Sequence, residues 1–174
     1  MKIQLKEGWW RRKMILGIDP GLENTGWGII NHQSSIDNYQ LIACGVILTD
    51  KKNKSEERLE KIFDEVQKII KKYEVEEVAV ESMFFAKNAK SALKVAEAIG
   101  VIKVAAKNLT KPVFEYTPLQ IKMALVGYGR AEKEQVEIMV KNCLNLSEDI
   151  KPSHAADAVA TALTHGFTLK IIEK

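Results

Sequence analysis

Two short apolar runs in this chain each stop at a carboxylate, and no other feature limits the fold as much. Met14 to Ile18 ends at Asp19, with Pro20 and Gly21 directly after it, and Val75 to Val80 ends at Glu81. Short apolar runs bounded by turn residues read as strands. A proline cannot donate to a sheet ladder, and glycine tolerates backbone angles that other residues avoid. Pro20 and Gly21 therefore take the chain out of the sheet at Asp19. A buried carboxylate without a partner is costly, so an acid at that point reaches water or holds a cation. Asp-Pro-Gly also suits a plain turn between hairpin strands, and both readings stand for this segment alone.

Around these two runs the periodicity sets an order of elements. Extended segments at about 14–19, 26–32 and 39–48, joined by short polar turns, predict an antiparallel meander. Residues 55–73 repeat apolar side chains at helical spacing, from Leu59 through Ile62, Val66 and Ile69 to Tyr73, with Ser55 as the expected N-cap. The strand ending at Glu81 follows. Helices are expected over 88–108, 117–126, 131–144 and 152–168, with a short strand at 113–116 and a Gly-rich loop at 127–130. The 88–108 segment is apolar nearly all round, which predicts burial on more than one side. The order βββ-α-β-α-β-α-α-α implies an α/β domain with a mixed sheet.

A length of 174 residues fits one domain with a proper core. No apolar run approaches the roughly 20 residues that span a bilayer, so no membrane association is expected. The start lacks the apolar stretch of a signal peptide. Cys44 and Cys143 lie far apart without metal-type spacing, which fits buried thiols in a reducing, cytoplasmic setting. The total charge is +3, but residues 1–13 alone hold five basic side chains against Glu7, so the remainder carries −1. Global charge therefore says nothing of nucleic acid. Residues 1–13 are expected to be a basic extension, flexible or non-native, ahead of a single domain over 14–174.

A third element carries chemistry. His154 and Asp157 stand three apart in the last helix, hence on one face, amid small residues that let a helix pack closely on a sheet. Each also suits ordinary capping near a helix N-terminus. Together with the two strand-end acids they give four convergent ligand types: Asp19, Glu81, His154 and Asp157. Carboxylate oxygens suit Mg²⁺, and an imidazole suits Mn²⁺ or a transition metal as well. Two such ions about 3.5–4 Å apart activate water and stabilise the leaving oxygen of a phosphodiester.

Four stretches in order, GIDPG with TGWG, VAVESMFFAKN, VGYGRAEKEQV and HAADAVATALTH, resemble the motifs of the RuvC family of crossover-junction endodeoxyribonucleases. The resemblance runs from Met14 to about Thr168. It implies an RNase H-like mixed five-stranded sheet flanked by helices. It further implies a homodimer that nicks two opposed strands of a four-way DNA junction with divalent metal, in recombination and repair. By resemblance Asp19, Glu81, His154 and Asp157 are the catalytic metal ligands; many relatives carry Asp where His154 stands. A branch-migration partner, the RuvA-RuvB complex, is implied in the same way.

DNA contacts are expected at six positions. Phe84 beside Glu81 suits stacking on an unpaired base, and Lys87 and Lys90 suit a phosphate track along the following helix. Arg130 sits in the Gly-rich loop, and by resemblance Lys122 and Lys133 on either side of it are basic DNA contacts. Two other functions share this kind of core. One is an actin-like or sugar-kinase-type phosphate-binding protein, since Asp19 to Gly26 is similar to a first phosphate loop. The other is an RNase H-like nuclease acting on ribosomal RNA precursors.

Overall fold

The structure, a computed structural model, describes residues 12–33, 38–82 and 89–172. Strands β1 (Arg12–Asp19), β2 (Asn24–Gln33) and β3 (Asn38–Leu48) form the expected antiparallel meander. Strand β4 (Glu77–Glu81) pairs parallel with β1, and β5 (Val113–Tyr116) pairs parallel with β4, giving one mixed sheet in the order β3-β2-β1-β4-β5. The helices are α1 (Ser55–Lys72), α2 (Ala89–Asn108), α3 (Pro118–Val126), α4 (Lys133–Cys143) and α5 (Ser153–Ile172).

Strand alternation sorts the sheet into two faces. Leu16, Ile18, Ile29, Ile47, Val78 and Val80 point into a core shared with α1 and α2. Ile15, Ile30 and Ala79 point the other way, into a core with α3, α4 and α5. The sheet is thus a covered middle layer, as parallel strands require.

Three boundaries differ from expectation. β1 begins at Arg12, and Lys13 pairs in register with His32 while its ammonium meets Glu77 at 2.6 Å. The end of the basic segment is therefore part of the sheet. α1 is capped at Lys54 rather than Ser55, because the Glu57 carboxylate accepts the Lys54 N–H at 3.3 Å. α4 begins at Lys133, preceded by Glu132, whose N–H donates to the Gln135 side chain at 2.8 Å. By contrast α3 starts as its sequence predicts, with Pro118 in the first turn and the Thr117 hydroxyl accepting the Gln120 N–H.

Helix α5 lies unusually close to β1 and β2. A methyl group on Gly17 would overlap the Ala158 carbonyl oxygen, one on Gly26 the His154 carbonyl oxygen, and one on Gly28 the Val159 side chain. These three glycines and the alanines opposite them form a flat seat, which sets the height of everything α5 carries. Three turns along α5 from His154, His165 fixes the opposite end. Its Nε2 lies 2.7 Å from Glu77, its Nδ1 lies 2.7 Å from the Tyr116 hydroxyl, and Phe114 stacks on the ring. Burial holds the His165 imidazole below its usual pKa, so Glu77 takes its positive partner from Lys13.

Candidate active site

The strand register builds the site. Ile18 pairs with Val80 across the parallel β1–β4 ladder, and both side chains enter the α1–α2 core. The next residue on each strand must then face α5. Those residues are Asp19 and Glu81, on neighbouring strands, at the ends where the ladder stops. The glycine seat brings the first turn of α5 down onto them. His154 Nδ1 lies 2.7 Å from Asp19 Oδ2. Ligand atoms of Asp19, His154 and Asp157 all fall within 4.8 Å of one another. Glu81 stands outside that tight group, and the charges of Asp19 and Asp157 act on its carboxyl.

The electrostatics show a concentration of negative charge. Burial pushes the Glu81 carboxyl up to about 8, helped by the carboxylates of Asp19 and Asp157 and opposed by Lys133. Asp19 is also raised, by burial foremost; its hydrogen bond to His154 works against this and Asp157 works with it. Among the described residues a lysine ammonium stands at the cluster. Lys133 Nζ, half exposed at the start of α4, lies 2.7 Å from Asp157 Oδ2. Burial disfavours its charge, yet the hydrogen bond and attraction to Asp157 raise its pKa overall. A cluster of three acids and an imidazole that keeps one carboxyl protonated is short of positive charge. Its donor set, mostly hard oxygen with one imidazole nitrogen, suits a divalent cation.

The other expected contacts fall differently. Lys122 is partly buried on α3, and Arg130 is exposed in the loop after it. Lys133 is placed at the carboxylates themselves, which its neighbours Glu132 and Glu134 in the sequence gave no reason to expect. Phe84 and Lys87 lie outside the described residues, as does the Lys90 side chain. The sequence reading missed the glycine seat, although Gly17, Gly26 and Gly28 lie within the very motifs it singled out. It also missed His165, whose spacing of eleven from His154 places both on one helix face.

A mixed five-stranded sheet whose central parallel strands end in acids, closed by a helix that brings a histidine and a further aspartate to them, defines an RNase H-like nuclease. Known proteins agree. Residues 15–165 match the family model described as crossover junction endodeoxyribonuclease RuvC, and the chain belongs to that family. It is 49% identical over 159 residues to the RuvC of Geobacter sp. strain M21, covering 89% of this chain and 93% of that one. With the RuvC of Fusobacterium nucleatum it shares 46% identity over 151 residues, or 87% of this chain and 78% of the relative. The solved structure of Thermus thermophilus RuvC in complex with Holliday junction substrate superposes with a TM-score of 0.86 at 38% identity, covering 91% of this chain and 96% of that one. The yeast mitochondrial Holliday junction resolvase Ydc2 shares the fold, with a TM-score of 0.62 at 12% identity over 92% of this chain and 82% of that one.

Proposed function

We propose that this chain, as a homodimer, binds a four-way DNA junction and nicks two opposed strands symmetrically, leaving 5′-phosphate ends. The observation that carries this is the cluster of Asp19, His154 and Asp157, with Glu81 on the adjoining strand, in a chain whose Thermus thermophilus relative holds a Holliday junction. Asp19, Glu81, His154 and Asp157 hold divalent metal, Mg²⁺ or Mn²⁺, as two ions per site. Bound there, such ions would supply a lowered pKa for water and positive charge for a phosphodiester. His154 keeps Asp19 oriented through its 2.7 Å hydrogen bond. Lys133 exchanges its Asp157 partner for a phosphate oxygen when DNA enters. Arg130 and Lys122 extend the phosphate track along the loop and α3, with Lys87, Lys90 and Phe84 serving the junction centre. Work in recombination and repair, a cytoplasmic location and partnership with the RuvA-RuvB complex follow from the family. No described helix is long and apolar enough to cross a membrane.

The first test offers a synthetic four-way junction, a matched duplex and a single-stranded RNA with Mg²⁺, Mn²⁺ or EDTA. Paired symmetric nicks in the junction alone, abolished by EDTA, are the expected result. RNA cutting without junction cutting refutes the proposal, as does tight ATP binding without junction binding.

The dimer reading rests on one face of α2. Leu93 and Val104 are 67% and 59% exposed, large values for aliphatic side chains. With Glu97 and Gly100 they follow the i, i+4, i+7, i+11 pattern of a single stripe. Nothing lies within 4 Å of where a Cβ on Gly100 would stand, which leaves room for a second helix to cross. A two-fold pairing of this stripe covers its own apolar residues. Val104→Glu is expected to sediment as a monomer and to lose paired nicking. A dimer of parental stability in that variant removes α2 from the interface.

A further inference from the structure

On the sheet face away from the carboxylates, a groove of about 640 Å³ runs between α1 and the end of β3. Its floor is apolar and aromatic, formed by Trp27, Tyr73, Ile47 and Ile69. The Trp27 and Tyr73 rings lie 6.0 Å apart. The Trp27 ring lies across Gly45 so closely that an added Cβ would sit 2.9 Å from its Cζ2. The glycine thus leaves the indole as part of the floor where a side chain would stand. The rim is cationic. Lys61, Lys68 and Lys72, all exposed, line it from one stripe of α1 against the single acid Glu65, which Lys68 meets at 2.7 Å, so the rim keeps a net charge of two lysines. Lys72 Nζ stands 4.9 Å from the centre of the Tyr73 ring.

The third wall is a strand edge. β3 is the outermost strand and pairs only with β2 among the described residues. A bulge at Ile42 interrupts this edge, and from Ala43 to Leu48 its outward backbone donors and acceptors meet no further strand among the described residues; Ile42 and Leu48 are 42% and 61% exposed. An open edge of this length is a template for another extended chain. A strand added there sends every second side chain towards α1.

We propose that the α1–β3 groove docks an extended acidic segment of a partner protein, which adds to the β3 edge and places alternate apolar side chains on the aromatic floor. Its carboxylates meet the Lys61, Lys68 and Lys72 rim. The strand edge and apolar floor select a peptide over a nucleic acid, because a phosphate backbone uses the lysines alone. Charge complementarity sets the sign of the partner. The site is separate from the nuclease centre. Asp19 faces α5 across the sheet, whereas Trp27 packs on the α1 core. A contact of this size gives weak, reversible affinity, on the order of micromolar.

The test is fluorescence anisotropy with the full chain and a labelled short peptide that alternates aspartate with isoleucine or phenylalanine. Comparison probes are the same peptide with lysine for aspartate and a labelled single-stranded oligonucleotide. The acidic peptide is expected to bind saturably, one per chain. Lys68→Glu combined with Lys72→Glu, both surface changes, is expected to weaken it about tenfold or more while junction cutting stays at the parental rate. The lysine peptide is expected not to bind. Absence of saturable binding overturns the proposal, as does equal binding by the charge-reversed variant. Oligonucleotide binding that the double substitution removes reassigns the groove to nucleic acid and overturns it too.

Discussion

Asp157→Asn is expected to leave the protein folded and junction-bound but without cleavage. The change swaps one oxygen for an amide nitrogen at constant shape, so α5 keeps its seat on β1 and β2. The ion pair it weakens, to Lys133 at 2.7 Å, joins a half-exposed lysine to a carboxylate that is 28% exposed, and such pairs contribute at most about 1 kcal/mol. Folding therefore barely notices. DNA binding gains if anything, because a negative charge beside the path of the phosphates is removed. Cleavage has no such tolerance. Asp157 is one of three groups whose ligand atoms fall within 4.8 Å of each other, and an amide neither neutralises nor orients a divalent cation as a carboxylate does. Loss of one charge-stabilising group from a preorganised site costs on the order of 10³-fold in rate. Gel shifts in EDTA measure the first half and junction cutting in Mg²⁺ the second. Cutting at the parental rate would show that Asp157 holds no catalytic metal.

What the sequence disclosed and what it hid divide along physical lines. The two strand-end acids were legible because a strand's period and a Pro-Gly break are local, and the register then places them side by side without further help. The His154–Asp157 pair was legible because helical spacing is local too. The approach of α5 to the sheet was not. It depends on Gly17, Gly26 and Gly28 meeting Ala158, His154 and Val159, which are more than a hundred residues away in the chain. Lys133 was legible only as a basic residue beside a loop. Its place at Asp157 depends on how α4 docks on α5, which no periodicity reports. His165 was invisible for a related reason: its partners Glu77 and Tyr116 lie on two other strands. The start of β1 was misjudged because Arg12 and Lys13 read as a basic tail, whereas Lys13 finds its partner in Glu77.

Glu81 gives the largest effect expected on the protein itself. In the metal-free fold its carboxyl is pushed up to about 8, against 4.5 for a free glutamate, chiefly by burial and then by Asp19 and Asp157. A raised pKa means that the folded state binds the proton more tightly than the unfolded state. The stability this contributes is complete below about pH 4.5 and is lost as pH rises through about 8. Each pKa unit corresponds to about 1.4 kcal/mol, so the Glu81 share of the loss is of order 3–5 kcal/mol. Asp19, also raised, adds in the same direction. Glu81→Gln removes the titration while keeping the side chain's shape. Denaturant unfolding in EDTA should find this variant within about 1 kcal/mol of the parent near pH 4, where the parental carboxyl is protonated in the folded chain and largely so in the unfolded one. Near pH 8.5 it should be the more stable by a few kcal/mol. Millimolar Mg²⁺ should reverse that order, because only the parent has a third carboxylate to offer and binding to the folded state alone stabilises it. Parallel stability-versus-pH curves for parent and variant would mean that Glu81 stays ionised in the fold, and that the cluster carries no deficit of positive charge for a metal to fill.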